Sequence, residues 1–411
     1  MAQENRAVIG GVDTHKDVHV AAVIDERGKI LDTSEFETTA RGYRSLSAWM
    51  AEFGELVRVG VEGTGAYGAG LARHLVREGI EVVEVNRPNR TMRRRRGKSD
   101  TVDAEAAARA ALNGEASVTP KAEDGIIESI RVLRVAFTSA RDSRVRVALQ
   151  IRDLLITAPE GLRRALGPLS TADRVARCAR FRLDGDTAEP LEGTKLALRT
   201  LARRYEVLTK EMSELEAALD ELTARANPAL RGAKGVGADV AAILLVAAGD
   251  NPGRIRTEAA FAAMCGVNPI EASSGKIVRH RLNRSGNRQA NHALWRIVMV
   301  RMTNDETTKK YIARRKAEGR TQREAIRCLK RYVAREVYRL VVDPQAVPSG
   351  TALRATREAA GLSLRQVSHH LGVSLTQVSR LELGRVHDTE LATRYEVWLS
   401  QSTRSQALQA A

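Results

Sequence analysis

Four carboxylates stand where the sequence predicts that strands end or a helix begins. Asp13 and Glu62 each close a short apolar run, while Asp100 and Asp103 open an alanine-rich stretch. Residues three positions apart on a helix share one face. Mg²⁺ prefers carboxylate oxygens, and two such ions can stabilise the entering and leaving oxygens of a phosphoryl displacement. The four acids therefore predict a site for two Mg²⁺ ions that acts on a phosphodiester.

The segment before Asp100 is strongly basic. Alone, such a run is typical of a solvated loop or a nuclear-localisation signal. Beside a metal site it favours contacts with nucleic-acid phosphate. Its twelve residues contain seven basic side chains and no acid: Arg87, Arg90, Arg93, Arg94, Arg95, Arg96 and Lys98.

The elements that must position these acids follow the order of an RNase H-like mixed sheet. In such a sheet the first and fourth strands are neighbours, so Asp13 and Glu62 can face one site. Apolar runs and turn signals predict antiparallel strands at 8–12, 18–24 and 29–36, a helix at 43–53, a strand at 56–61, a helix through Leu71 and Leu75, a strand at 81–85 and a helix from about Asp100.

Simpler roles for the acids stay open at this point. Asp100 could be only a helix N-cap, with Asp103 complementing the helix dipole. The residues after Asp13 and Glu62 could form a strand-end turn and a helix entry. His15 and Asp17 lie near Asp13 in sequence, but spacing does not decide their part.

Composition favours a nucleic-acid partner. The net charge is +16 and the pI is near 10.2, and such a chain gains free energy from the counterions it displaces on a polyanion. No apolar run approaches the roughly 18 residues of a membrane span, and the N-terminus lacks a secretory signal pattern. We expect a cytoplasmic protein without a membrane partner. Cys178, Cys265 and Cys328 lie too far apart to predict a zinc site or a disulfide framework.

The middle of the chain predicts long helices. Residues 126–155 and 198–222 carry apolar residues at heptad spacing, which favours an intramolecular hairpin and a dimerising coiled coil equally. Residues 157–194 predict a loop-rich connection with one short helix. Residues 229–342 predict a mostly helical unit, and 343–351 a linker.

The C-terminal stretch LRATREAAGLSLRQVSHHLGVSLTQVSRLELGR predicts three short helices separated at Gly361 and Gly372. This pattern is similar to the Cro/repressor-type helix-turn-helix. A small helical protein-binding module is the alternative. The recognition helix would offer three side chains to base edges: Thr376, Gln377 and Arg380.

The ordered stretches GVDTHKD, VGVEGTGAY and KSDTVDAEAAA resemble the DEDD transposases of the insertion sequence 110 family, whose N-terminal domain is similar to the RuvC Holliday-junction resolvase. The later stretch FAAMCGVNPIEASSGKIVRHRLNRSGNRQANHALWRIV resembles that family's C-terminal transposase domain. The resemblance implies metal binding by the four acids and a nucleophilic Ser274 that joins covalently to a DNA end. It also implies an element-encoded guide RNA and a homo-oligomer, from dimer to tetramer.

Ser274 stands in Ser-Ser-Gly-Lys, which alone is typical of a turn or a phosphate clamp. Ser273 is the neighbouring competitor for the nucleophile. Gly235-Val-Gly237 is equally typical of a helix-hairpin-helix turn and of a structural turn. Five basic side chains around the serine form a second acid-free patch suited to phosphate contacts: Lys276, Arg279, Arg281, Arg284 and Arg288.

These patterns predict an α/β domain followed by α domains, with the function of an insertion-sequence DNA transposase or recombinase. One alternative is a metal-dependent Holliday-junction-type nuclease that uses water in place of the serine. Another is a non-catalytic DNA-binding regulator that uses only the terminal module. The predicted domains are a RuvC-like acidic domain at 1–118, a helical coiled-coil region at 119–228, a serine-bearing transposase domain at 229–342, the linker at 343–351 and the helix-turn-helix at 352–402.

Overall fold

The computed structural model describes residues 6–85, 99–275 and 280–410 of the chain, with side chains up to residue 403. The chain divides into two compact units. The first is Met1–Gly125 with Ala248–Arg256, and the second is Ile126–Ala247 with Thr257–Ala411. None of the described helices is both long enough and apolar enough to cross a membrane.

The first unit contains a five-stranded mixed sheet. The strands are β1 Ala7–Thr14, β2 Val18–Asp25, β3 Ile30–Glu37, β4 Glu55–Glu62 and β5 Glu81–Val85, and the helices are α1 Ala40–Ala51, α2 Ala69–Arg77 and α3 Asp100–Leu112. The strand order is β3-β2-β1-β4-β5. β1 pairs antiparallel with β2 and parallel with β4. This order confirms the predicted RNase H-like sheet.

The central strand β1 is buried along most of its length because both faces of the sheet are covered. On one face, Leu46, Met50, Leu71 and Leu75 of α1 and α2 pack against the strands. On the other face, the alanines of α3 lie directly on β1, β2 and β4. The alanine-rich sequence of α3 thus places the helix close to the sheet.

Two glycines make this close approach possible. A Cβ at Gly11 would lie 2.1 Å from the backbone nitrogen of Ala108, and a Cβ at Gly60 would lie 2.5 Å from the carbonyl oxygen of Ala107. Both contacts are with the backbone of α3, which cannot rotate away. Glycine at these two strand positions therefore fixes the depth of the helix that carries Asp100 and Asp103.

We predict that Gly11→Ala displaces α3 and lowers the stability of the first unit by about 1–3 kcal/mol or more, as overpacking of a dense core does. Thermal unfolding followed by circular dichroism measures this. Gly161→Ala is the matched control, because a Cβ there meets nothing within 4 Å. Equal melting of the Gly11→Ala protein and the wild type would contradict the close contact.

The second unit begins with a helical hairpin. The helices are α4 Ile126–Ile156, α5 Glu160–Leu166, α6 Thr171–Ala179 and α7 Pro190–Ala226. Val147, Ile151 and Leu155 of α4 share a core with Leu198 and Ala202 of α7. The intramolecular hairpin is therefore confirmed, whereas a dimerising coiled coil stays a prediction. The expectation of one short helix at 157–194 was wrong, because α5 and α6 both form and α7 begins at Pro190.

The remainder of the second unit is mostly helical, as the sequence predicts. It contains α8 Pro228–Arg231, α9 Ala238–Ala248, α10 Glu258–Met264, β6 Pro269–Glu271, β7 His280–Leu282, α11 Arg288–Asn304, α12 Glu306–Ala317 and α13 Gln322–Val342. The last residue of α9 and the 3₁₀ turn at Pro252–Arg254 belong to the first unit.

The last four helices are α14 Gly350–Ala359, α15 Leu364–Leu371, α16 Leu375–Glu382 and α17 Thr389–Ala410. Ser363 and Ser374 start α15 and α16 with capping boxes. Gly372 ends α15 in the left-handed conformation, with φ +65°, which glycine adopts at little cost. The predicted breaks at Gly361 and Gly372 are confirmed, whereas α14 begins at Gly350, inside the stretch 343–351 that was expected to be a linker.

A buried ion pair joins three of these helices. Arg357 of α14 binds both carboxylate oxygens of Glu382 at 2.7 and 2.9 Å, and the Tyr395 hydroxyl donates to the same carboxylate at 2.7 Å. Burial raises the pKa of Tyr395, and the hydrogen bond with Glu382 raises it further.

We predict that Glu382→Ala destabilises the helix-turn-helix by about 3–5 kcal/mol, because it leaves the buried Arg357 charge without its carboxylate. Hydrogen exchange of α14 to α16 measures the loss. Glu396→Ala, at an exposed position of the same region, should leave exchange unchanged. Similar exchange in both variants would show that the pair contributes little.

Candidate metal centre and nucleic-acid surfaces

Asp13 and Glu62 lie at the same edge of the sheet, at the ends of β1 and β4. The parallel strands β1 and β4 keep one register from the pair Ile9–Arg58 to the pair Val12–Val61, and the next residue of each strand is one of the two acids. The Thr14 hydroxyl donates a hydrogen bond to the carbonyl oxygen of Glu62 at 2.8 Å. This bond ties the two strand ends together beside the acids.

Asp100 and Asp103 lie in the first turn of α3. Ser99 is the N-cap of this helix, because its Oγ accepts the backbone N–H of Val102 at 3.3 Å. The alternative in which Asp100 serves only as an N-cap is therefore wrong. Asp103 is buried and Asp100 is exposed, so the pair spans the wall and the mouth of the site.

All four acids line one cleft of about 260 Å³. Three separate elements supply them, namely the ends of β1 and β4 and the start of α3. The structure thus brings together residues that are up to 90 positions apart in the chain. The order of the sheet alone accounts for the first two, and the depth of α3 on the sheet accounts for the others.

His15 lies between two of these acids. Its Nε2 is 3.3 Å from Asp13 Oδ2 and 3.5 Å from Asp100 Oδ2. One ligand atom from each of the three residues falls within 4.8 Å of the others, a spacing that can hold a metal ion. Sequence spacing did not decide the position of His15. Asp17 is exposed and is not among the residues that line the cleft.

The negative charges of the site repel each other. Burial raises the pKa of Asp13, and the negative charges of Asp103 and Asp100 raise it further, while His15 opposes the shift. Asp13 is 8% exposed and Asp103 is 3% exposed. Like charges that share a partly desolvated site favour the neutral acid or a bound cation.

These residues fit Mg²⁺ by the chemistry of their donors. Hard carboxylate oxygens on a cleft open to solvent leave room for water and phosphate ligands, as this ion requires. The converging ligand atoms of Asp13 and Asp100 are the structural feature that supports the fit.

Sequence reasoning overlooked one large side chain in the cleft. Tyr67 follows β4 and lines the same cavity, and 56% of its surface is exposed. Aromatic residues make up only 4% of the chain. A tyrosine five residues after Glu62 is therefore unusual, and it could have indicated a residue of the site.

Ser274 belongs to the second unit, in the connection between β6 and β7. Those strands pair antiparallel, from the pair Pro269–Leu282 to the pair Glu271–His280. Ser273 and Ser274 come shortly after the end of β6, and both are exposed. Gly275 has φ +57° and forms a turn. The serine is therefore accessible at a turn, as both the nucleophile and the phosphate-clamp interpretations require.

Comparison with known proteins gives the family. Residues 10–158 match a family model of IS110-type DEDD proteins described as a transposase, and residues 227–313 match the transposase IS116/IS110/IS902 family. The two matches together span more than half of the chain. The chain belongs to the IS110 transposase family. Its acidic cleft lies within the first match, and Ser274 lies within the second.

A curated relative supports the assignment over a limited length. The chain is 29% identical over 163 residues to the insertion element IS110 uncharacterized 43.6 kDa protein of Streptomyces coelicolor. The match covers 38% of this chain and 40% of that relative. Residues 350–395 of this IS110-family transposase also match a helix-turn-helix domain.

The predicted phosphate-binding side chains of this family member fall into two groups. Arg281, Arg284 and Arg288 are exposed on and after β7. The others lie outside the described residues: Arg87, Arg90, Arg93, Arg94, Arg95, Arg96, Lys98, Lys276 and Arg279.

The predicted base-reading residues are exposed along α16, with Thr376 and Gln377 in its first turn and Arg380 in its last. Thr376, Gln377 and Arg380 all face solvent. Gln377 also caps the helix, because its Oε1 accepts a hydrogen bond from the backbone N–H of Ser374 at 2.9 Å in the capping box. Its side-chain amide group remains oriented by that bond and can still donate.

Two further sequence features have structural explanations. Cys178 and Cys265 are buried, and burial raises their thiol pKa values, to about 11 and about 12. Such thiols are unreactive. Gly235 has φ +83° in the turn before α9, which accounts for one glycine of the Gly235-Val-Gly237 motif without a phosphate role.

Proposed function

We propose that this IS110-family transposase cuts and rejoins DNA phosphodiesters of an insertion sequence in the cytoplasm. Asp13, Glu62, Asp100 and Asp103 would hold two Mg²⁺ ions, and Ser274 would be the nucleophile. The convergence of the four acids in one cleft carries this proposal. The family assignment supports DNA as the substrate class.

The bound ions would supply stabilisation of the negative charge on the entering and leaving oxygens of the phosphate. The chain's own residues have distinct tasks. The buried carboxylates of Asp13 and Asp103 would fix the position of the ions from the wall of the cleft. The exposed Asp100 would face the substrate side, where the basic segment before α3 would hold the DNA backbone.

Ser274 would form a covalent phosphoserine. Its Oγ would bond to the scissile phosphorus as the phosphorus–oxygen bond to the leaving strand breaks, and the serine proton would end on the leaving oxygen as a hydroxyl. The reverse reaction with a new strand end would rejoin DNA and release the serine. A serine hydroxyl needs activation, which we assign to the acidic centre of the same or another copy.

The exposed turn at Ser273 and Ser274 supports this role, since a DNA strand can reach it without rearrangement of a core. The exposed Arg281, Arg284 and Arg288 would neutralise phosphates next to the serine.

An element-encoded RNA would guide the protein to its DNA sites, and a dimer to tetramer would bring several acidic centres and serines together. Sequencing of RNA that co-purifies with the protein, from cells that carry the flanking element, tests the guide. Recovery of element-derived RNA is expected, and its absence would remove the guided mechanism. Light scattering of the purified complex tests the oligomer.

The helix-turn-helix would read duplex DNA through Thr376, Gln377 and Arg380. A donor and a target plasmid incubated with the complete protein and Mg²⁺ test the proposal as a whole. Recombined plasmids and a protein–DNA adduct are expected. Cleavage without rejoining would favour the junction nuclease, and operator binding without any metal-dependent cleavage would favour the regulator.

A further inference from the structure

Two tyrosines and two arginines form a cluster at the surface of α12 and α13, in which only Tyr311 is half-buried. The rings of Tyr311 and Tyr332 meet edge to face, with centroids 6.0 Å apart. The Arg314 guanidinium lies 5.4 Å from the centre of the Tyr311 ring, and that of Arg335 lies 6.0 Å from the Tyr332 ring. We call these four residues the Arg–Tyr cluster.

The cluster opens to solvent. Tyr332 is 54% exposed, although a tyrosine that only stabilises a helix corner usually hides its ring. Tyr311, Arg314 and Tyr332 also line a cavity of about 450 Å³. Two carboxylates line it as well, and both are paired: Glu336 with Arg301, and Asp305 with Lys234. A planar group could therefore enter beside the rings.

The surroundings are the most basic part of the described chain. Residues 306–335 contain eleven basic and three acidic side chains, a net charge of +8 that equals half of the +16 of the whole protein. Five of the exposed basic residues make no ion pair within the described part of the chain: Lys310, Lys316, Arg320, Arg323 and Arg327.

The exposed Tyr332 and the half-buried Tyr311 lie among these exposed basic residues, a combination that suits one kind of ligand. The cluster's own Arg314 and Arg335 each also pair with a carboxylate, Glu318 and Glu258. Phosphates bind the cations, and an unstacked base can lie on an aromatic ring or a guanidinium plane. The bases of a duplex are already stacked on each other and cannot do so. An acidic protein would use the charges without needing the rings.

We propose that the Arg–Tyr cluster binds an unpaired nucleic-acid strand, with a base stacked on Tyr332 and the backbone along α12. This site shares no residue with the acidic cleft or with the helix-turn-helix. Arg314, Tyr332 and Arg335 also lie outside the matched family ranges, which end at residue 313 and resume at residue 350. The shared ligand chemistry admits single-stranded DNA or RNA.

Photo-cross-linking of the complete protein tests this site. Single-stranded DNA and RNA of about 12 nucleotides, a typical single-strand site size, would carry 5-iodouracil, with a duplex of the same sequence for comparison. EDTA prevents metal-dependent cleavage. Mass spectrometry then maps the attached peptides, so other nucleic-acid surfaces of the chain do not obscure the result.

We expect cross-links in α12 and α13 from a single strand and far fewer from the duplex. Tyr332→Ala should lower their yield about tenfold, in line with the loss of one stacked base, while Tyr332→Phe should retain them because the ring remains. The preferred strand, DNA or RNA, identifies the source of the ligand.

Trp295→Ala is the matched control, because Trp295 is a 39% exposed aromatic residue on α11 outside the cluster, and its loss should leave the cross-links unchanged. Equal yields from duplex and single strand, cross-links that miss both helices, or the same loss in Tyr332→Phe as in Tyr332→Ala would overturn the proposal. Unchanged thermal unfolding of each variant separates lost binding from lost folding.

Discussion

Asp13→Asn is expected to lower Mg²⁺-dependent DNA cleavage by at least about a hundredfold. Even residues that only orient a metal ligand cost 10- to 100-fold when they are removed, and Asp13 offers its own oxygen to the shared ligand position. Cleavage of element-end DNA over a range of Mg²⁺ concentrations measures the loss. Binding of the same DNA in EDTA should change little.

Asp17→Asn is the matched control, since this acid is exposed in the turn that follows β1 but does not line the cleft. It should cleave at the wild-type rate. Equal losses in both variants would assign the effect to the local negative charge, and full activity of Asp13→Asn would remove Asp13 from the metal centre.

The Asp13→Asn protein should also melt at a higher temperature than the wild type when both are measured in EDTA. The raised pKa of Asp13 means that the folded protein holds this proton more tightly than the unfolded chain does. Ionised Asp13 therefore costs stability at neutral pH, and the cost disappears as the pH falls below both pKa values. Asparagine removes it, so the difference in melting temperature should shrink in acid.

Ser274→Ala is expected to abolish the covalent protein–DNA adduct and to lower strand exchange by roughly 10⁴-fold or more, as loss of a nucleophile does in other enzymes. Denaturing gels of the reaction with labelled DNA detect the adduct directly. Because Ser274 is exposed at a turn, the alanine variant should keep its fold and bind DNA normally.

Ser273→Ala supplies the comparison within the same turn. It should form the adduct and exchange strands, although Ser273 is also exposed. The reverse outcome would move the nucleophile by one residue. Cleavage by both variants without any adduct would instead support a nuclease that uses water.

Much of the first unit could be predicted because its signals are local. Apolar runs that end at Asp13 and Glu62 and the alanine-rich start at Asp100 mark strands and a helix, and the chain order of these elements selects one sheet. The parallel neighbours β1 and β4 then bring the first two acids to one edge.

The closeness of the other two acids could not be predicted in this way. The position of Asp100 and Asp103 depends on the contact of Gly11 and Gly60 with the backbone of α3. A glycine in an apolar run does not predict which helix will pack against it. His15 shows the same limit, since its place between Asp13 and Asp100 depends on where the strand end turns.

Tertiary contacts also decided the helical regions. α5 and α6 form at 160–179 because Leu162, Leu166 and Val175 pack onto the α4–α7 hairpin, although the prolines and glycines of that stretch favour loops. The Arg–Tyr cluster was overlooked for a similar reason. Tyr311 and Tyr332 are 21 positions apart, and only the packing of α12 against α13 joins them.

A crystal of the protein soaked in Mn²⁺, recorded at the manganese absorption edge, tests the shared metal centre most directly. We predict anomalous peaks in the cleft between Asp13, Asp100 and Asp103, with Glu62 turned towards them, and no such peak in Asp13→Asn crystals. Anomalous density confined to other surfaces, or an empty cleft with the four carboxylates turned apart, would contradict the account.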